Sequence, residues 1–253
     1  MTLSFDYSTE VLFDHIVGRH NVLMRCQPAQ TYSQRICSEQ LVLPDGFWHR
    51  MSVDGLGNRI VVGGTLMGHS DFCYRSSGVI EMSTYCIPDA APHPMYSVQS
   101  SLTKSDKTML GLLPPLGNDF LDNCLKVADA VNHYMTYTPE VTSVQTSAIE
   151  VLRCRRGVCQ DYSHLMIALC RLAGYHARYV CGFMLGEGAT HAWVEVHDGQ
   201  CWYGFDPTNN NAVASGYIKL AHGRDSLDCP VSRGMYTGVA QQKTDVSVTV
   251  KII

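Results

Sequence analysis

Gly157-Val158-Cys159-Gln160-Asp161-Tyr162-Ser163-His164 is the stretch on which the reading of this chain turns. A glycine turn runs directly into Cys159, and Leu165, Leu169 and Leu172 then recur at helical spacing as far as Gly174. The pattern predicts a helix from about Cys159 to Ala173 whose first residue is the cysteine. A helix tip leaves backbone N–H groups unpaired and carries the positive end of the macrodipole, which favours a thiolate. The Cys159 amide would there point at the oxyanion formed when sulfur attacks a carbonyl. Position alone does not decide the matter, because the chain has 11 cysteines and any one of them serves as readily as a small buried hydrophobe.

Downstream, residues 177 to 183, 191 to 197 and 201 to 205 read as strands, the last two joined by the turn Asp198-Gly199-Gln200. Further strands are expected near 217 to 220 and 246 to 250. Upstream, Leu121, Cys124, Leu125, Ala128, Val131 and Met135 predict a helix starting near Asn118 or Asp119 and ended by Thr138-Pro139. Residues 147 to 155 read as a further short helix, stopped by Gly157. Residues 1 to about 100 read as β structure, with short β-branched segments at 11 to 17, 31 to 41, 59 to 62 and 79 to 85. The turn signals between them include Pro44-Asp45-Gly46, Asp54-Gly55-Leu56-Gly57-Asn58 and Gly63-Gly64. From 87 to 115 five prolines deny regular structure, and the interdomain connection is expected there. The expected partition is a β-rich domain over 1–100 and a catalytic core over 101–253.

Two further residues complete a possible constellation. His191 opens a strand directly after Gly186-Glu187-Gly188-Ala189, where a strand-end imidazole facing a cleft can take the thiol proton and return it to a leaving amine. Asp206 ends the neighbouring strand, and Pro207 enforces a sharp exit. If the strands pair, the carboxylate lies beside His191 and holds its tautomer. Asp198 competes for that role but sits in a turn signature.

The four blocks 157–164, Ala177-Arg178-Tyr179-Val180-Cys181-Gly182, His191-Ala192-Trp193-Val194-Glu195-Val196 and Phe205-Asp206-Pro207-Thr208-Asn209 follow one another in a fixed order. Together they resemble the core of the bacterial transglutaminase-like superfamily. The resemblance implies Cys159 as nucleophile, His191 as acid and base, and Asp206 as its orienting carboxylate. It also implies an α+β fold: an antiparallel β-sandwich-like N-terminal domain, then a papain-like core whose nucleophile helix packs on an antiparallel sheet. The segment Val53-Asp54-Gly55-Leu56-Gly57-Asn58-Arg59-Ile60 and the β segments after it resemble the β-rich N-terminal domain of many bacterial members. Animal transglutaminases carry a tryptophan after the nucleophile and another upstream as oxyanion donor. Here Gln160 follows Cys159 and the only upstream tryptophan is Trp48, so the second oxyanion donor is unassigned. The calcium sites of the animal enzymes have no recognisable counterpart, and neither metal nor cofactor is expected.

Gln160, Asp161, His164 and Trp193 are the candidates for substrate binding or the oxyanion. Gln160 would offer a side-chain amide next to the sulfur. Asp161 and His164 match the bacterial motif, although Asp161 equally suits a helix dipole. Trp193 and Trp202 read as core or cleft-wall aromatics, and Arg178 as one half of an ion pair across the sheet.

Composition narrows the partners. Apolar content of 45% supports a proper core, while a net charge of −4 with scattered Lys and Arg offers no basic stripe to nucleic acid. The first residues lack a basic region before acidic Asp6, and no uncharged apolar run approaches the ~18 residues of a membrane span, so a cytoplasmic protein off the membrane is expected. An odd cysteine count without C-x-x-C pairs points to reduced thiols. The function expected is cleavage of a peptide or isopeptide amide through a thioester, with a peptide or protein as substrate and hydrolysis slightly favoured. The alternatives are a transglutaminase or peptide cyclase using an amine acceptor, and a noncatalytic peptide-binding module that keeps the fold.

Overall fold

The first strand sets the architecture. In the computed structural model, which describes Met1–Ile253, β1 (Thr2–Met24) alternates over its first eight residues, so that Leu3, Phe5, Tyr7 and Thr9 are buried on one face. Four more strands follow it: β2 (Gln34–Val42), β3 (Trp48–Val53), β4 (Arg59–Thr65) and β5 (His69–Met82). The proline-rich stretch yields only β6 (Ile87–Pro88) and two 3-10 turns, Pro94–Tyr96 and Lys107–Gly111. The helical part comprises α1 (Phe120–Tyr134), β7 (Thr136–Tyr137), α2 (Ala148–Cys154), β8 (Arg156–Gly157) and α3 (Cys159–Leu172). The remaining strands are β9 (His176–Met184), β10 (Gly186–Gly188), β11 (His191–His197), β12 (Cys201–Asp206), β13 (Asn211–Ala212), β14 (Tyr217–Gly223), β15 (Ser232–Thr237) and β16 (Gln242–Ile252).

An eight-stranded antiparallel sheet forms around β1. Its first half pairs with β5 and β16, its second half with β4 and β15, and the register breaks between Leu12 and Val17. One long strand therefore feeds two layers, as a sandwich-like curl requires. A six-stranded antiparallel sheet holds β13, β12, β11, β9 and β14 in that order, with β6 added on β12. Phe183 of β9 packs its ring 5.8 Å from Phe5 and 5.1 Å from Tyr7, so a single apolar core runs through both sheets. The fold is α+β.

The expected division near residue 100 needs correcting at its far end. Residues 232 to 252 lie beside β1, with Leu3 opposite Ile252, and do not extend the catalytic sheet. β10 then hydrogen-bonds to β16 and ties the two sheets together. Alternation marks these segments as strands but carries nothing about a partner some 240 positions away. β3 lay outside the expected strands: every one of its residues is exposed, so it has no buried face to signal it.

The helices follow their caps. Asp119 accepts from the Asp122 amide to start α1, and a reciprocal Ser147–Glu150 box starts α2. α2 ends at Arg155, which takes the left-handed conformation at φ 55°, two residues before the glycine expected to stop it. α3 is buried from Asp161 to Arg171 among α1, α2 and the β9–β11 face of the second sheet, and Gly174 ends it at φ 88°. The apolar stripe expected on one side is thus a helix enclosed on all sides. No helix is long and apolar enough to cross a membrane.

Candidate active site

Cys159 is the first residue of α3, half-exposed at the helix tip. The turn before it is built by Gly157 and Asp161. The Asp161 carboxylate accepts from the Val158 amide at 2.7 Å and from the Thr142 hydroxyl at 2.7 Å. A Cβ on Gly157 would stand 2.4 Å from that same Asp161 oxygen, so only glycine lets the carboxylate fold back over the turn. Asp161 is fully buried; burial pushes its carboxyl up, outweighing the Val158 and Thr142 donors, which favour the charged form. It shapes the nucleophile's turn and does not reach the cleft.

His191 opens β11, and Asp206 closes β12, which pairs with β11 through Val194 and Phe205. The His191 Nε2 and Asp206 Oδ2 atoms are 2.7 Å apart. The carboxylate is completely buried yet saturated with donors. Tyr217 Oη and Asn209 Nδ2 reach Oδ2 at 2.9 and 2.7 Å, and the backbone amides of Thr208 and Asn209 reach Oδ1 at 2.9 and 3.2 Å. Burial works to raise the Asp206 carboxyl, but His191, Asn209 and Tyr217 outweigh it and hold it below its ordinary range. For His191, burial works to lower the imidazole, and Asp206 together with the Cys159 sulfur lifts it to about 10. The ring nitrogen not held by Asp206, Nδ1, is left for the sulfur.

Cys159, Gln160 and His191 line one cleft of about 640 Å³, walled on the far side by Tyr7, Thr9 and Thr244 of the first sheet. The structure therefore brings the three triad candidates and Gln160 together. It keeps His164 and Trp193 away. His164 is fully buried against Tyr179, accepts from the Ser226 amide at 3.2 Å, and burial lowers it to about 4. Trp193 lies behind His191, ring centroids 6.5 Å apart, and donates to Tyr85 Oη at 3.0 Å. Coverage explains Trp193, because Tyr85, Val213 and Tyr217 pack over it while His191 stands at the open end of the strand. Ala192, Val194 and Val196 face the main core with α3, so His191, Trp193 and Glu195 share the other face.

That face carries a buried ion cluster. Arg178 and Lys219 both pair with Glu195, Lys219 Nζ at 2.8 Å, and Tyr85 Oη donates to Glu195 at 2.6 Å. Trp202, also fully buried, lies 4.0 Å beneath the Arg178 guanidinium. Asp198, the alternative partner for His191, accepts from the Gln200 and Cys201 amides in its turn. The residues missed from sequence are Asn209 and Tyr217, which hold Asp206. Asn209 stood inside the quoted 205–209 block and Tyr217 at the head of an expected strand, so both were visible without being assigned.

Residues 114–207 match the model of the transglutaminase-like superfamily, and over that stretch the chain is similar to its core. An uncharacterized protein of Mycobacterium tuberculosis is 41% identical over 132 residues, 46% of this chain and 42% of its own. One of Mycobacterium leprae is 36% identical over 128 residues, 47% of this chain and 45% of its own. The chain thus spans less than half the length of these relatives. A crystal structure of a candidate cysteine protease from Cytophaga hutchinsonii superimposes with a TM-score of 0.81 at 22% identity, covering 100% of this chain and 92% of that one, and shows the same fold.

Proposed function

We propose that this protein is a cysteine-nucleophile enzyme that cleaves a peptide or isopeptide amide through a thioester, with water as the acyl acceptor. The observation that carries the reading is the His191 imidazole, bonded at 2.7 Å to a fully buried carboxylate and opening onto the cleft that holds the helix-tip sulfur. With the thiol proton already on His191 Nδ1 as an imidazolium, the Cys159 sulfur attacks the amide carbon. The Cys159 N–H, in the first turn of α3, faces the oxyanion, and Gln160 beside it is the side-chain amide available to help. His191 then protonates the departing amine as the C–N bond breaks, leaving the acyl group on sulfur. Water, deprotonated by His191, attacks the thioester and releases the acid and the thiol. Asp206 holds the ring throughout and stays ionised. Hydrolysis is favoured over transfer because no tryptophan lines the cleft, whereas tryptophans flank the nucleophile in animal transglutaminases.

Iodoacetamide labelling near neutral pH tests the nucleophile. Cys159 should react faster than exposed Cys37, Cys73 and Cys154 and should slow after His191→Ala. Equal rates, unaffected by the substitution, would remove the enzyme reading and leave the peptide-binding module. An acyl-enzyme loaded from a glutamine peptide and split between water and a primary amine tests the acceptor, and amine adduct as the dominant product would make the protein a transferase.

A further inference from the structure

The cleft has an unusual charge inventory. No aspartate or glutamate lines it, although the chain carries a net charge of −4. Its charged side chains are His191 on the catalytic wall and Arg233, the second residue of β15, from the first sheet. Arg25, Arg178 and Arg224 are each closed by a carboxylate at Asp54, Glu195 and Asp228, whereas Arg233 has none within 4.0 Å. Around it the same sheet supplies the hydroxyl groups of Thr9, Ser232 and Thr244, which line both the main cleft and a smaller recess of about 130 Å³ continuing from it. An open guanidinium among neutral hydroxyls, with no competing acid, is a receptor for a carboxylate.

Resting on the reading of Cys159 as nucleophile, we propose that the acyl donor carries an anionic group, a carboxylate, which Arg233 binds while the scissile amide lies against Cys159. The carboxylate belongs either to an acidic side chain on the acyl side or to the free C-terminus of the leaving portion. The geometry separates the two tasks: the catalytic sheet holds the reacting atoms and the first sheet reads the substrate's charge. A basic substrate would meet Arg233 and the His191 imidazolium with like charge and be rejected.

Rates of Cys159 alkylation, read by intact mass, test this without a known substrate. The ratio of iodoacetate to iodoacetamide rates should fall roughly threefold to tenfold in Arg233→Gln and further in Arg233→Glu. Two pairs of probes distinguish the sources of the carboxylate. A peptidyl chloromethyl ketone with Glu is compared with its Gln counterpart, and an epoxysuccinyl peptide with a free C-terminus with its amide. In the parent the acidic member of one pair should win, and Arg233→Glu should abolish or invert that preference. Ratios unchanged in both variants would overturn the proposal. Failure of every probe to label Cys159 ahead of exposed Cys37 would instead overturn the nucleophile assignment on which it rests.

Discussion

Replacing Asp206 by asparagine removes the charge that holds His191 while leaving a side chain of the same size. Burial works to push this imidazole below 6.5, yet Asp206 and Cys159 lift it to about 10. The interval from 6.5 to 10 corresponds to roughly 4–5 kcal/mol in favour of the imidazolium. So large a value is available because the carboxylate is completely buried and the imidazole side chain is only 11% exposed. A histidine whose folded value lies above its unfolded one lends stability that is fully present below about 6.5 and is lost as pH rises toward about 10. Lys219 runs the other way. Burial lowers it to about 8, so its cost to the fold is relieved as pH climbs from there toward 10.5. The parent's stability profile mixes both effects, and the informative quantity is the difference between parent and Asp206→Asn, from which Lys219 cancels. The asparagine still offers a carbonyl to its neighbours, so the packing loss is independent of pH. In the variant, ring-carbon NMR, assigned with His191→Gln, should show His191 titrating roughly 1–3 pH units lower. Urea unfolding should show the largest stability difference near pH 6, shrinking toward pH 10. A parent His191 that titrates near 6.5, or a difference that does not vary over that window, would refute the reasoning.

Glu195→Ala strands Arg178 and Lys219 without their buried counter-ion and should cost about 3–5 kcal/mol in urea unfolding. Because the pair of cations holds the Glu195 carboxyl well below its ordinary 4.5, the parent alone should lose this stabilisation as the medium is acidified below that value. Gly157→Ala places a methyl 2.4 Å from the Asp161 carboxylate, which must move; Cys159 alkylation should slow and stability fall by about 1–3 kcal/mol, and an alanine variant with parental reactivity would show that the turn is not held this way.

Much of the site was written in local signals. The Gly157 turn, the helical spacing after Cys159 and the alternating segment from His191 to His197 each act over a few residues, and the structure returns them with boundaries within a residue or two. The pairing of β11 with β12 follows from the short turn at Asp198, and with it the meeting of His191 and Asp206. Side-chain direction was harder. Asp161 and His164 sit on a helix buried on every side, so their place in a motif said nothing about whether they faced solvent. Trp193 shares parity with His191, but one step further along the strand that face is covered by Tyr85, Val213 and Tyr217. Long-range partners left no mark at all: nothing in residues 242 to 252 names β1 as their neighbour.

That distant pairing bears on when the cleft is complete. A nascent chain that has left the ribosome only as far as Asp206 already holds the sulfur, the imidazole and the carboxylate. It still lacks Arg233, Thr244 and Val246, which supply the opposite bank of the cleft, and it lacks β16, the strand that lies along β1 from Leu3 to Phe13. The cleft that would receive a substrate is thereby completed only when β16 comes to lie along β1, after Cys159, His191 and Asp206 have all been made.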